Sequence, residues 1–266
     1  MSDLSAEVIA GALRGRRLGR PATYYPRIGS TNDAARQLAE DGAPEGALVI
    51  ADEQTAGRGR ANRSWWAPPG TSLLMSLLLR PPIESGRAQE VTMCLGLGAL
   101  EGIADATGLE AGLKWPNDLM WHGRKLGGML AEMDTRGARL NWVVLGLGLN
   151  VNQRWDNTVP PEIADVAISL AMASGRPVDR LALLAGILHR TELWYERWLA
   201  GVSPHDAWSA RLETLGQKVT VTLPDRILRG VAAGVSPQGA LLLREDGGQV
   251  HTIWAGDVTR LRALDE

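Results

Sequence analysis

A break in hydrophobic pattern at Gly216 divides the chain into two unequal parts. Beyond it, apolar residues come in short runs, at residues 219–223, 228–235, 240–244 and 250–254. Turn residues separate them at Pro224-Asp225, at residues 237–239 and at residues 246–248. About 50 residues of short strands at regular spacing predict a small β-barrel. The part before Gly216 cannot fold that way, because it interleaves strand runs with long helical stretches. The predicted class is therefore α+β, with residues 1–215 as a mixed domain and residues 216–266 as a separate SH3-like module.

Within the first part, residues 4–17 have helical spacing, with Val8, Ile9, Ala12 and Leu13 on one side. Arg14, Arg16, Arg17 and Arg20 follow; such a cluster either binds phosphates or is the solvated end of a helix. Residues 22–27 read as a strand. Ser30-Thr31-Asn32-Asp33 reads as a helix start, with Gly42 as its stop. Residues 46–52 hold a short buried strand, and the uninterrupted apolar run 72–79 predicts a strand covered on both faces. Residues 88–107 predict a helix. Runs at 113–115, 119–121, 125–133 and 140–150 predict an antiparallel meander turned at Asn117-Asp118, Gly123 and Gly137. Three helices are predicted after it, at 163–174, 179–199 and 204–215.

A hydrophobic content of 45% over 266 residues supports one sizeable core plus a small second unit. With ten Trp and no Phe, tryptophan must carry most of the aromatic packing. The net charge of −2 argues against general nucleic-acid binding, which asks for a basic excess. A lone cysteine, Cys94, forms no internal disulfide, so a reducing cytoplasmic setting is expected. Its apolar surroundings at residues 91–100 make it a packed thiol rather than a nucleophile. No secretory signal pattern opens the chain, and no apolar stretch approaches the roughly 20 residues that span a bilayer, so no membrane association is expected.

Two segments carry chemistry. The first is the long irregular stretch 54–70, with Gly57-Arg58-Gly59-Arg60 and Arg63 followed by Trp65-Trp66. Glycines permit tight turns and close approach, and arginine forks match carboxylate and phosphate. A bare Arg-Gly loop would be a mobile solvated segment; the Trp pair weighs against that. Trp65 either stacks on an adenine or anchors the loop in the core. If the arginines repel one another until an anion arrives, residues 54–66 should order only on ligand binding. In the second segment, residues 113–128, Asn117-Asp118 taken alone is a turn. Lys125, however, enters an apolar strand just before Gly127-Gly128. A lysine in that place needs an anionic partner, because burying an unpaired charge is costly.

Taken in order, Ser30-Thr31-Asn32, Gln54, Gly57-Arg58-Gly59-Arg60, Lys114-Trp115-Pro116-Asn117-Asp118, Arg124-Lys125-Leu126-Gly127-Gly128 and the run 146–152 resemble the motifs of biotin–protein ligases. The resemblance extends from about Tyr24 to the C-terminus. It implies a class II synthetase-like catalytic domain with a mixed, mostly antiparallel sheet. It also implies a two-step reaction: biotin and ATP give biotinyl-5′-AMP, and a lysine of the biotin carboxyl carrier protein then takes the biotin. Bringing one anion onto another requires fixed cations, which suits the Arg loop and Lys125 without help from the resemblance.

By resemblance, Ser30, Thr31, Asn32 and Gln54 hold biotin, with Arg58, Gly59 and Arg60 closing over it. Arg60, Arg63, Trp65, Asn117 and Asn150 line the ATP site, Trp65 near the adenine. Lys125 bridges the biotin carboxylate and the α-phosphate, so Lys125, Arg58 and Arg60 form the catalytic set and Lys114 is structural or faces phosphate. Asp118 is the expected Mg2+ contact. The chain departs from the family pattern at Asn62 and Gly127, where Gly and Ala are usual; neither change removes a charge. A homodimer is the family's implied assembly.

Several alternatives are tested by what is missing. The sequence has no Gly-x-x-x-x-Gly-Lys-Ser/Thr run, no complete dinucleotide fingerprint at Gly146-x-Gly148 and no Gly-x-Ser-x-Gly elbow. His122, His189, His205 and His251 lack metal-ligand spacing. A lipoate or octanoate ligase or transferase on the same fold is the competing enzyme reading. A biotin-responsive repressor is the competing reading of another class. Only 29 residues precede Ser30, roughly half of what a winged helix-turn-helix needs, so no sequence-specific DNA binding is expected.

Overall fold

A computed structural model describes residues 4–60, 63–155, 159–254 and 256–260. Seven strands form the larger sheet: β1 (Ala22–Tyr25), β2 (Leu48–Ala51), β3 (Ser72–Leu79), β4 (Gly112–Lys114), β5 (Asp118–Trp121), β6 (Arg124–Arg136) and β7 (Arg139–Asn150). Their spatial order is β1-β2-β3-β7-β6-β5-β4. Only β1 and β2 run parallel; β4 to β7 are the expected antiparallel meander. Its tight turns use Gly123 and Gly137, both at positive φ. Every residue of β3 is buried, Ser72 and Ser76 included, as its largely apolar run predicts.

Helices α3 (Ala88–Thr107) and α6 (Arg180–Leu199) pack against each other beside this sheet. Two glycines of α3 set their closeness: a Cβ on Gly102 would sit 2.7 Å from Ile187 Cγ1 and 2.8 Å from Ile187 Cα. Gly102→Ala would gain about 1 kcal/mol of helix propensity. It would also overpack against backbone, at a cost of about 1–3 kcal/mol. A net loss of about 1 kcal/mol in urea unfolding is expected; a variant more stable than the parent would show that the helices separate freely. The opposite face of the sheet carries α2 (Thr31–Glu40) over a small core of Ala35, Ala39, Val49, Leu78, Trp142 and Val144.

The helices at the ends are shorter than their periodicity predicts. The first, α1, is Ala6–Ala12, capped by Ser5, whose hydroxyl accepts from Val8 N. Ile9 and Leu13 are buried, but Val8 is 44% exposed. The run 163–174 is two short helices, α4 (Pro161–Ala164) and α5 (Leu170–Ser174). Between them the chain leaves helical form to pair with Lys125, which donates its N–H to Val166 O (2.8 Å) and accepts from Ile168 N (2.9 Å). Helix α7 covers only His205–Ser209, because Arg211 and Glu213 hydrogen-bond the backbone of Leu113 instead.

After Gly216 the chain forms β8 (Lys218–Thr222), β9 (Ile227–Val235), β10 (Leu241–Arg244), β11 (Val250–Ile253) and β12 (Asp257–Arg260). The fifth strand was not foreseen. All pairings are antiparallel, in the order β11-β10-β9-β8-β12. Among the described residues no pairing joins β11 to β12, so the expected barrel is described as a five-stranded antiparallel sheet. The alternating pattern specifies strands and faces; it does not specify closure. One hydrophobic core nevertheless runs through both sheets, from Leu73 and Leu113 to Val219 and Leu241. Trp115, 1% exposed, links them by donating its indole N–H to Gly239 O at 2.9 Å. Cys94 is buried, and burial pushes its thiol up to about 12. Among the described residues no helix is long and apolar enough to cross a membrane.

Candidate functional site

Strand register places the site on the α2 face of the larger sheet. Ser76, Gly146 and Leu130 lie abreast on β3, β7 and β6; one step along, Leu74, Gly148, Gly128 and Asp118 lie abreast. Three glycines in two rows leave a trough in the sheet surface. The start of α2, the loop after β2 and the segment before α5 wall it into a cleft. Every residue assigned from the sequence to the biotin, ATP or metal site lines this cleft: Ser30, Thr31, Asn32, Gln54, Arg58, Arg60, Arg63, Trp65, Asn117, Asp118, Lys125 and Asn150, together with Gly59. Lys114 does not line it. Asn62, the departure from the family pattern, lies outside the described residues.

One end is uncharged and polar over an apolar floor of Met75, Met129 and Leu130. Ser30 is the extended N-cap of α2, which turns the next two residues into the cleft wall. Thr31 donates its backbone N–H (2.7 Å) and its hydroxyl (3.0 Å) to Gln54 Oε1. Ser76 Oγ lies 2.8 Å from Thr31 Oγ1 and 2.6 Å from Asn32 Oδ1. Asn32 Nδ2 donates to Glu132 Oε2 at 2.7 Å. Ser76 and Glu132 were not foreseen. Ser76 had a signal, a hydroxyl in the middle of an apolar run buried on both faces, where it must find polar partners. Glu132 had none, since its strand turns solvent-exposed just beyond it.

The other end is cationic. In the loop after β2, Trp65 N donates to Gly57 O (2.9 Å) and Gly59 N to Arg63 O (2.6 Å), a narrow hairpin-like turn. Gly57 is required there, because a Cβ would lie 3.0 Å from both Trp65 O and Gln54 Nε2. Two of the three arginines have carboxylate partners. Arg58 Nη2 donates to Asp33 Oδ1 (2.6 Å) and to Glu132 (3.2 Å). Arg63 pairs with Asp257 of β12 at 3.3 Å, and Arg60 Nη1 donates to Asn117 Oδ1 at 3.4 Å. Arg60 has Arg63 as a like-charged neighbour. Burial lowers the pKa of Arg60 from its ordinary value, with nearby Asp118 opposing the shift.

Lys125 owes its direction to a β-bulge. The β5–β6 register shifts between Leu119 and Met120, which sends Leu126 into the core and Lys125 into the cleft. Its Nζ donates to Asp118 Oδ1 at 2.6 Å and lies 5.9 Å from the Trp65 ring centroid. Gly128 keeps that pair open, since a Cβ there would meet Asp118 Oδ1 and Lys125 Nζ at 3.3 Å each. Trp65 anchors the loop and also lines the cleft. It lies against Gly148, where a Cβ would come within 2.7 Å of its Cε2, and its half-buried ring forms a cleft wall. Asn150 is engaged from both sides: Nδ2 donates to Ile168 O (3.2 Å), and Oδ1 accepts from Gln153 Nε2 (3.0 Å). Among the described residues no group of three or more His, Cys, Asp or Glu can hold a metal; Asp118 is the carboxylate at the cationic end.

This arrangement can seat an uncharged ring at one end and bring two anions together at the other. Residues 24–150 match the Biotin/lipoate A/B protein ligase family, and residues 214–260 match the Biotin protein ligase C terminal domain. The chain is 35% identical over 257 residues to the Bifunctional ligase/repressor BirA of Bacillus subtilis, covering 96% of this chain and 78% of that protein. It is 35% identical over 253 residues to the Biotin--[acetyl-CoA-carboxylase] ligase of Mycobacterium tuberculosis, covering 91% of this chain and 90% of that protein. A solved structure of the biotin protein ligase from Aquifex aeolicus in complex with biotin and ATP superposes with a TM-score of 0.76 at 27% identity, over 92% of this chain and 100% of that one. With two matched models in sequence order and relatives at this identity over nearly its whole length, the chain belongs to the biotin protein ligase family.

Proposed function

We propose that the chain is an ATP-dependent biotin–protein ligase acting through this cleft. A biotin carboxylate oxygen attacks the α-phosphorus of ATP and pyrophosphate leaves, giving biotinyl-5′-AMP. The amine of a carrier-protein lysine then attacks the acyl carbonyl, and AMP leaves with loss of a proton to solvent. The observation that carries this reading is the continuity of the uncharged polar pocket with the Lys125–Arg60 end.

The residue roles follow from the chemistry. Thr31, Asn32 and Gln54 supply directed amide and hydroxyl groups for the ureido ring, with Ser30 and Gly59 beside them. Lys125 bridges the carboxylate and the α-phosphate, held on line by Asp118. Arg58 and Arg60 close over the acyl phosphate, and Arg63, Trp65, Asn117 and Asn150 face the nucleotide. A cation already desolvated, as Arg60 is, stabilises developing phosphoryl charge more than a solvated one. Asp118, beside Asn117, would hold a Mg2+ bound to ATP, which would neutralise phosphate charge and needs only one or two protein carboxylates.

The family model over residues 24–150 also spans lipoate ligases, but the match of residues 214–260 to a biotin protein ligase domain favours biotin. The acceptor is taken to be the carrier domain of a biotin-dependent carboxylase, in keeping with the name of the Mycobacterium tuberculosis relative. The same reading makes residues 1–215 the catalytic unit and residues 216–266 an SH3-like module. The resemblance to the family supports a homodimer, and the single buried thiol supports a cytoplasmic setting. The net charge of −2 favours ligation without operator binding. The test is the mass of a purified carrier domain after incubation with MgATP and either acid. Biotinylation without lipoylation is expected; lipoylation alone would overturn the reading.

A further inference from the structure

Beneath the cleft, Arg180 is a guanidinium only 1% exposed that no step of the reaction uses. It is the first residue of α6, just after the N-cap Asp179. Its Nη1 donates to Asp52 Oδ1 at 2.9 Å and to Ser72 O at 3.0 Å. Asp52 is the first residue after β2, at the start of the loop that carries Arg58, Arg60 and Trp65, and Ser72 is the first strand residue after it. One nitrogen therefore ties both ends of that loop together. Other contacts tighten the stem. Tyr24 Oη donates to Asp52 Oδ2 at 2.6 Å, and Gly70 N donates to Asp52 O at 3.1 Å. Ser72 Oγ accepts from Gln153 Nε2, which also donates to Asn150 Oδ1 at 3.0 Å. Asn150 Nδ2 in turn reaches Lys125 O at 3.5 Å.

We propose that Arg180 is a positioning residue for adenylation, a clamp on the loop stem that holds Arg58, Arg60 and Trp65 in register with Lys125. A buried ion pair is a poor way to stabilise a core, because hydrophobic residues of similar size do as well or better. Its attested use is to fix one arrangement among several, and here the arrangement it fixes is the spacing of the two strand ends. The clamp acts at the root of the loop rather than at its tip, so the arginines remain free to exchange their carboxylate partners for substrate. Positional error of about 1 Å at a reacting centre costs on the order of a hundredfold in rate, so a loosened stem should be visible in catalysis. This inference rests on the ligase reading only for the reaction that is measured.

The test compares the parent with the double variant R180M/D52N. That variant removes both charges together and leaves an acceptor for Tyr24. Three quantities are read: the thermal midpoint, trypsin cleavage after Arg58 and Arg63, and biotin-dependent ATP–pyrophosphate exchange per folded molecule. The expected result is a midpoint within a few degrees of the parent, loop cleavage about tenfold faster, and kcat lower by about 10- to 100-fold with a raised KM for biotin. A folded double variant with parental cleavage and parental kcat and KM would overturn the proposal. If the double variant does not fold, Arg180→Lys takes its place; it keeps the buried charge but loses the guanidinium, so it should speed loop cleavage severalfold and lower kcat, and parental cleavage with parental kcat overturns the clamp. A parent protein without biotin-dependent exchange would sink the ligase reading instead, while loop cleavage would still test the clamp.

Discussion

Lys125→Ala is expected to leave the protein folded and to lower biotinyl-adenylate formation by about a hundredfold to a thousandfold. Two magnitudes separate these outcomes. The Lys125 side chain is 32% exposed, and a pair of that kind with Asp118 contributes only about 0–1 kcal/mol to stability. A fixed donor aimed at charge that develops in the transition state is worth about 3–4 kcal/mol to the rate. Far-ultraviolet circular dichroism and thermal unfolding should therefore match the parent while biotin-dependent pyrophosphate release collapses. Near-parental release would remove Lys125 from the mechanism and return attention to Lys114, which stands outside the cleft.

Gly146→Ala should abolish useful biotin binding, raising the dissociation constant by about a hundredfold. The added Cβ would be driven into the side-chain amide of Asn32, which has nowhere to go. Asn32 is 4% exposed and held by Ser76 on one side and Glu132 on the other. Displacing it would also disturb Thr31, which shares Ser76. The adenosine end lies further along the trough, so the affinity for ATP should change little. Calorimetric titration with biotin and with ATP, separately, measures both effects. Biotin affinity within about twofold of the parent would mean that the polar pocket around Asn32 is not where the ring sits.

The parts of the fold legible in the sequence are those whose signal is local. The strand at residues 72–79 and the helix at residues 88–107 have the expected bounds, because a largely apolar run and a long helical pattern leave little choice. The residues gathered in the cleft were also legible, since arginines clustered with glycines in an irregular segment stand out between apolar strands. What was not legible depends on partners far away in sequence. The helix expected over residues 163–174 breaks because that segment pairs with Lys125. The carboxylate partners of Arg58 and Arg63 were not legible, because Asp33, Glu132 and Asp257 lie 25, 74 and 194 residues away from them. Strand β12 has only four residues, too few for alternation to announce it, and barrel closure is a matter of edges that alternation does not encode.

The account stands on one claim, that a carboxylate and an α-phosphate meet at Lys125. Its most direct test is to incubate the purified protein with biotin and ATP labelled at the α-phosphate, without carrier, and to separate the products. The account predicts a biotin-dependent, protein-bound biotinyl-5′-AMP, lost in Lys125→Ala and absent when lipoate replaces biotin. Labelled adenylate with lipoate but not with biotin, or no adenylate with either acid, would contradict it.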